Sequence, residues 1–320
     1  MPLFATVSPA EADRAALRRQ LRKLQRVFPV DALAAERTST QQVVEYYDAC
    51  QDAYRKYHSA DGAVHMALND GDRFDPDGFY GQLRRIEADW ATAPTPVRDV
   101  LELAFGQGFN LAWLAPRHPQ VRFHGVDLTP AHVRLAGDRL QAQGLANVQL
   151  QLGDYQALPF DDGRFDQLFC IEAMCHASDL PGALAEAARV LRPGGALTLF
   201  DGYLPRPVQQ LTSEEALAVV LVAKGMAVER LQWLDDVLAQ ARAAGFEPRR
   251  VDALDAQVMP SLRRLERLTS AVIRWPWLGR RALARRPEMR GRNVLAGCLM
   301  RSTVALGLIG YRHLVLQKRG

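Results

Sequence analysis

Three carboxylates in the middle of the chain each stand at or near the end of a short apolar run, and each suits a particular part of one ligand. Glu102 lies inside Asp99-Val-Leu-Glu-Leu-Ala-Phe-Gly-Gln-Gly-Phe-Asn110, an apolar run that turns through Gly106 and Gly108 and opens into a helix. Such a turn lets backbone approach a ligand closely, and the first helical turn presents unpaired N–H groups. Dinucleotide enzymes use a similar turn, but this spacing is not GxGxxG, and Glu102 would set a negative charge against a pyrophosphate. A carboxylate there suits the ammonium group of an amino-acid ligand far better. Asp127, in Gly125-Val-Asp-Leu-Thr-Pro130, can accept hydrogen bonds from two ribose hydroxyls, and the duty of capping the next helix is assigned to Thr129. Asp154, in Leu152-Gly-Asp-Tyr155, can accept from an exocyclic adenine amine. Any one of these acids could be structural, but three at the tips of successive parallel strands line one crevice, where open α/β sheets bind ligands.

The elements that must hold these residues follow from periodicity. Apolar strand patterns at 97–103, 122–126, 148–151, 167–171 and 196–200 alternate with helical ones, which implies a mostly parallel sheet covered on both faces. Helices are expected at 213–224 and 231–244, then a strand at 248–253 and a last one at 311–318. The fold class is therefore α/β, a doubly wound sheet of seven mostly parallel strands. Residues 1–95 read as a helical N-terminal cover, with helices at 15–28, 40–58 and 78–90 leading to a linker at Pro94–Pro96. The core is placed at 96–255, a helical Arg-rich lid insertion at 256–308, and the last core strand at 309–320.

The order Glu102-x-Ala104-x-Gly106-x-Gly108, Asp127, Gly153-Asp154, Phe165-Asp166 and Leu191-Arg-Pro-Gly-Gly195 resembles class I S-adenosylmethionine-dependent methyltransferases over residues 97–200. The resemblance implies a Rossmann-like form for that doubly wound sheet, with an antiparallel last strand. It also implies that Glu102 and the Gly106/Gly108 loop lie near the methionine moiety, Asp127 at the ribose, and Asp154 with Tyr155 at the adenine. Asn110, Leu128 and Ile171 complete that expected cofactor site. Ala104 stands where the family usually has its first glycine; its methyl should narrow the pocket slightly without abolishing binding. A narrower likeness comes from Phe169-Cys-Ile-Glu-Ala-Met-Cys-His176, which resembles sterol C-methyltransferases, as do Val43–Tyr54 and His65. It implies that Tyr46 and Tyr47 open onto the cofactor and that Glu172 and His176 flank the transferred methyl.

Methyl transfer from a sulfonium is an in-line displacement, driven largely by holding donor and acceptor together. If the acceptor is an alkene, Glu172 can stabilise the resulting carbocation and then take a proton, while tyrosine and tryptophan rings face the cation. If it is a hydroxyl or amine, His176 is the better base. Blander roles stand beside these: Glu172 holding backbone, His176 capping a turn, Cys175 acting as a small buried hydrophobe. The leading expectation is C-methylation of an isoprenoid, either a prenyl diphosphate or a sterol-like lipid. The alternatives are O- or N-methylation of a natural product, or a non-catalytic S-adenosylmethionine-binding module that docks on membranes.

Composition supports a globular protein: 320 residues, 48% hydrophobic and 24% charged. The net charge of +4 hides a segment, 261–292, with ten arginines against Glu266 and Glu288. That segment also holds Trp275, Trp277, Leu278 and Leu283, so an apolar acceptor with an anionic head, or peripheral contact with an anionic membrane, is expected; a solvated basic helix explains it equally. Nucleic acid is not expected as substrate, because no Asn/Asp-Pro-Pro-aromatic run follows the fourth strand. No metal cluster is visible, so Mg2+ is expected only with a diphosphate substrate. Cys50, Cys170, Cys175 and Cys298 form no CxxC pair and read as reduced thiols, which together with the lack of a leader pattern suggests a cytoplasmic protein.

Overall fold

The computed structural model describes residues 8–283 and 288–320. Its centre is a seven-stranded sheet of order β3-β2-β1-β4-β5-β7-β6. The strands are β1 (Asp99–Leu103), β2 (Arg122–Asp127), β3 (Val148–Leu152), β4 (Phe165–Ile171), β5 (Leu191–Tyr203), β6 (Phe246–Ala253) and β7 (Gly310–Lys318). The first five run parallel, and β7 runs antiparallel to both β5 and β6. The order reverses between β1 and β4, which opens a crevice beyond the carboxyl ends of the central strands. Every residue of β1 is buried, as expected for a central strand covered on both faces.

Before the sheet come α1 (Pro9–Gln25), α2 (Val30–Ala35), α3 (Thr40–Ala53) and α4 (Gly81–Ala91). The α3 helix begins at a capping box, Ser39 with Gln42, which fixes the phase of the tyrosines behind it. Its continuation, Tyr54–His58, widens into one π-helical turn rather than running on as the regular helix expected to 58. The crossovers are α5 (Phe109–Leu114), α6 (Pro130–Ala142) and α7 (Leu180–Val190), followed by α8 (Ser213–Gly225) and α9 (Leu234–Ala243). Between β6 and β7 lie α10 (Asp255–Val272), α11 (Pro276–Leu283) and α12 (Glu288–Ala305).

The N-terminal helices and this insertion make one cap. Leu17, Leu21 and Leu24 of α1 share a buried cluster with Val219 and Leu221 of α8 and with Leu295 and Leu299 of α12. Arg301 of α12 cements the joint, pairing with Asp13 and with Glu266, each at 2.6 Å. Part of the arginine-rich segment thus serves the cap's interior: Arg292 pairs with Glu36, and Arg264 donates to the carbonyls of Tyr57 and His58. Arg285 and Arg286 lie outside the described residues.

Candidate active site

The crevice at the strand tips is a cavity of about 670 Å³ lined by Ala104, Gly106, Asp127, Leu128, Asp154 and Tyr155, with Ile171 at its inner end. Under the glycine turn Glu102 is 1% exposed. Its Oε1 accepts from Asn110 Nδ2 at 2.6 Å, whereas Oε2 is buried without a partner. Burial pushes this carboxyl well above the usual range. An unsatisfied buried acceptor of this kind fits an ammonium donor.

Asp127 does more than wait for a ribose. Its Oδ2 accepts from the Gly106 N–H at 2.8 Å and its Oδ1 from the Thr129 N–H at 2.8 Å, so it ties the glycine turn to the end of β2. The division of labour expected here is therefore corrected: Thr129 stands at the N-cap of α6 but makes no side-chain cap, and Asp127 holds the N–H of Thr129 itself. Asp154 is engaged by Gln156 through its backbone N–H at 2.8 Å and its side-chain amide. The two glycines differ. Gly106 has φ +57°, a Cβ there would meet Val64 Cγ2 at an ordinary 3.7 Å, and it lines the crevice. Gly108 instead lets α5 pack on α6, since an added Cβ would lie 2.8 Å from that of Ala136; it is not among the lining residues. Ala104 carries φ +58°, a left-handed conformation that glycine adopts without strain.

A second cavity of about 780 Å³ adjoins the first, and Tyr47, Val64, Glu172 and His176 line both. Glu172 is held there by an unusual backbone, φ +51°, with its N–H donating to Phe200 O at 2.7 Å. The Met66 N–H and the Tyr311 hydroxyl both donate to its Oε1 at 2.7 Å, which leaves Oε2 for the cavity. Burial outweighs these donors and raises its pKa to about 7. Asp201 lines the same cavity, accepts from the N–H groups of Cys175 and Gly202, and is raised by burial to about 6.

His176 is fixed at both ring nitrogens. The Ala227 carbonyl, 3.2 Å from Nδ1, can only accept, so Nδ1 carries the hydrogen and Nε2 accepts from the Tyr47 hydroxyl at 3.0 Å. Burial pulls its pKa down to about 4, so the ring is neutral near pH 7. Tyr46 does not open onto the cofactor crevice as expected. Neighbouring helix positions point about 100° apart, so with Tyr47 at the junction, Tyr46 turns into the second cavity, where its hydroxyl meets that of Tyr54 and donates to the amide oxygen of Asn293. Asn110 and Glu102 act from beneath the glycine turn, and His65 Nε2 lies 3.2 Å from Asn110 Oδ1 behind them.

A third cavity, about 1120 Å³ and largely apolar, continues the second through the shared residues Tyr54, Met66, Met226 and Met300. Its far side is formed by Leu268 and Val272 of α10 and by Val294 of α12. Sequence reasoning did not find Asp201, Tyr311 or Met66. Tyr311 reaches Glu172 because β7 returns beside β5, Asp201 stands beside it through the pairing of β4 with β5, and Met66 comes from the loop ahead of α4; no local pattern announces these contacts.

Comparison with known proteins agrees with this geometry. Residues 100–195 match a methyltransferase domain. The methyltransferase GfsG of Streptomyces halstedii is 28% identical over 69% of this chain and 78% of its own. The erythromycin 3''-O-methyltransferase of Saccharopolyspora erythraea is 30% identical over 50% of this chain and 54% of its own. A sterol 24-C-methyltransferase of Gibberella zeae is 28% identical over 48% of this chain and 40% of its own. The chain thus spans about half or less of the last two relatives. Among solved structures, the [4+2]-cyclase SpnF superposes with TM-score 0.69 at 20% identity, over 88% of this chain and 97% of that one. A geranyl diphosphate methyltransferase superposes with TM-score 0.65 at 15% identity, over 87% of this chain and 97% of that one. Fold, matched domain and relatives agree on the class: residues 100–195 form a methyltransferase domain, and the chain is similar to methyltransferases over half of its length or more. Its relatives include the sterol C-methyltransferases.

Proposed function

We propose that this enzyme methylates an alkene carbon of an extended, uncharged isoprenoid or sterol-like acceptor, with Glu172 as cation stabiliser and base. The observation that carries this reading is Glu172 itself, at the junction of the donor crevice and an apolar two-chamber space, with one carboxylate oxygen anchored and the other free for the cavity. S-adenosylmethionine, when bound, supplies an electrophilic methyl on a sulfonium. Glu102 would hold its ammonium through Oε2, with Asp127 and Asp154 toward the ribose and adenine. As the alkene's electron pair forms the new carbon–carbon bond, positive charge appears on the neighbouring carbon. Glu172 stabilises that charge and then accepts the proton whose departure restores a double bond. Tyr47 and Tyr54 present aromatic faces to the same space.

Acceptor charge is constrained by the lining. The described residues around the second and third cavities include Glu172 and Asp201 but no lysine or arginine. An anionic head drawn into the second cavity would meet carboxylates alone, which favours a neutral acceptor over the prenyl diphosphate considered from sequence. His176 is a weaker candidate for general base, because it is neutral with a low pKa and its Nε2 already accepts from Tyr47.

The test is turnover with methyl-labelled S-adenosylmethionine against a Δ24 sterol, a neutral polyprenol, geranyl diphosphate and a phenol. Label on a carbon of either neutral lipid, with Glu172→Gln far more damaging than His176→Ala, is the expected result. Label on oxygen, or a larger loss in His176→Ala, supports the O-methyltransferase reading that the erythromycin relative suggests. Cofactor binding without transfer to any acceptor supports the non-catalytic reading.

A further inference from the structure

The outer edge of the cap carries a surface that the transfer reaction does not use. Near the end of α10, Arg267, Leu268 and Ala271 are exposed at helical spacing on one side, and Arg274 and Trp275 are exposed in the turn that follows. The strip continues into α11 with Trp277, Leu278, Arg280 and Arg281, also exposed. Trp275 is 54% exposed and Trp277 62%, far more than large aromatic side chains ordinarily are. Residues 267–281 hold four arginines and no acid. Among the described residues none of these four arginines joins a carboxylate; Arg267 bonds a carbonyl of its own helix and Arg274 lies over the Trp275 ring at 4.9 Å.

Close packing seats the strip against the cap. Gly279 is buried where α11 folds back on α10, and a Cβ there would lie 2.8 Å from the Val272 carbonyl. The exposed tryptophans are therefore not a loose tail. They sit on a short helix whose small residue permits close packing and whose large residues face outward.

We propose that this strip seats the protein on the surface of a bilayer containing anionic lipid. Tryptophan favours the boundary between headgroups and acyl chains, leucine enters it, and arginine buries its stem while its guanidinium stays with phosphate. Charge complementarity selects the lipid: four unpaired cations beside an apolar strip match phosphatidylglycerol-type headgroups, not a neutral zwitterionic surface. The seat also faces a useful neighbour. Leu268 belongs both to the exposed strip and to the wall of the third cavity, so docking brings that cavity's edge to the lipid.

The test is partition of the full chain onto vesicles of phosphatidylcholine alone and of phosphatidylcholine with about a third phosphatidylglycerol. Binding to the anionic vesicles is expected, falling with salt, and at least tenfold weaker on neutral ones. Each arginine near the surface contributes about fivefold, so Arg280→Gln with Arg281→Gln should weaken partition about twenty- to thirtyfold. Trp275→Ala with Trp277→Ala should weaken it as well, with circular dichroism and S-adenosylhomocysteine binding unchanged in both variants. Equal partition onto the two vesicle types, or full binding by both variants, overturns the proposal. So does tighter salt-sensitive binding to a single-stranded oligonucleotide that competes the vesicles away.

Discussion

Replacing Glu172 with glutamine should make the protein more stable and less active at once, and the two effects can be measured separately. Burial raises this carboxyl from 4.5 to about 7, so the fold holds the protonated form more tightly than the unfolded chain does. The sign follows directly. Below pH 4.5 the group is protonated in both states and imposes no penalty; as pH climbs through about 7 the stability is progressively lost. A rise of that size corresponds to about 3 kcal/mol once the folded-state carboxyl is ionised. Glutamine keeps an oxygen that can accept from the Met66 N–H and the Tyr311 hydroxyl, so the substitution removes the charge and retains the anchors. Urea unfolding of the ligand-free protein should therefore show the variant and parent nearly equal at pH 4.5, and the variant about 3 kcal/mol more stable at pH 8. In thermal terms that gain is about 4 °C for a chain of this size. Turnover should fall by at least about a hundredfold, the usual contribution of a positioned base. A stability difference that did not grow with pH would refute the claim that Glu172 is ionised against the fold. Retained turnover would refute its role as base.

Further predictions concern the neighbours of that carboxylate. Glu102, pushed upward by burial, should release a proton when an ammonium-bearing ligand arrives; calorimetry of S-adenosylhomocysteine binding in buffers of different ionisation enthalpy should detect it, and Glu102→Gln should abolish it. Tyr311→Phe removes a donor that favours the ionised form of Glu172, so the acidic limb of the pH–rate profile should move above 7 with only a modest loss at its plateau. Ala104→Gly relieves a left-handed alanine and should leave cofactor affinity within about twofold while raising stability by about 1 kcal/mol, read by urea unfolding.

Much of the donor half was legible in the sequence because its information is local. A strand, a turn and the following helix place Glu102, Gly106 and Asp127 within one stretch each, and the structure brings all three to the crevice at the strand tips or directly beneath it. The seven strands were legible for the same reason, whereas the antiparallel return of the last followed from the family resemblance. What escaped was set by tertiary register. Tyr46 and Tyr47 look equivalent in sequence, yet helix phase turns one into the acceptor space and leaves the other at the junction. Asp201 and Tyr311 acquire meaning only when β5 and β7 pair. The capping role assigned to Thr129 failed: its side chain accepts from no N–H of the first helical turn, and its own N–H is instead held by the carboxylate two residues earlier. The arginine-rich segment divides by packing: Arg301 and Arg292 became internal struts of the cap, and the strip from Arg267 to Arg281 stayed outside.

The last strand has a consequence for how such a chain comes into being. Residues proposed to hold the donor are all made by Glu172, whereas the Tyr311 that steadies this glutamate arrives within the final strand, and the first helix waits for α12 before its leucines are covered. A chain emerging from the ribosome in order would complete its donor crevice early and its acceptor chamber last. Synthesis thus runs like a safety catch: the methyl source can be gripped before there is any enclosed place to spend it, and the final strand arms the enzyme.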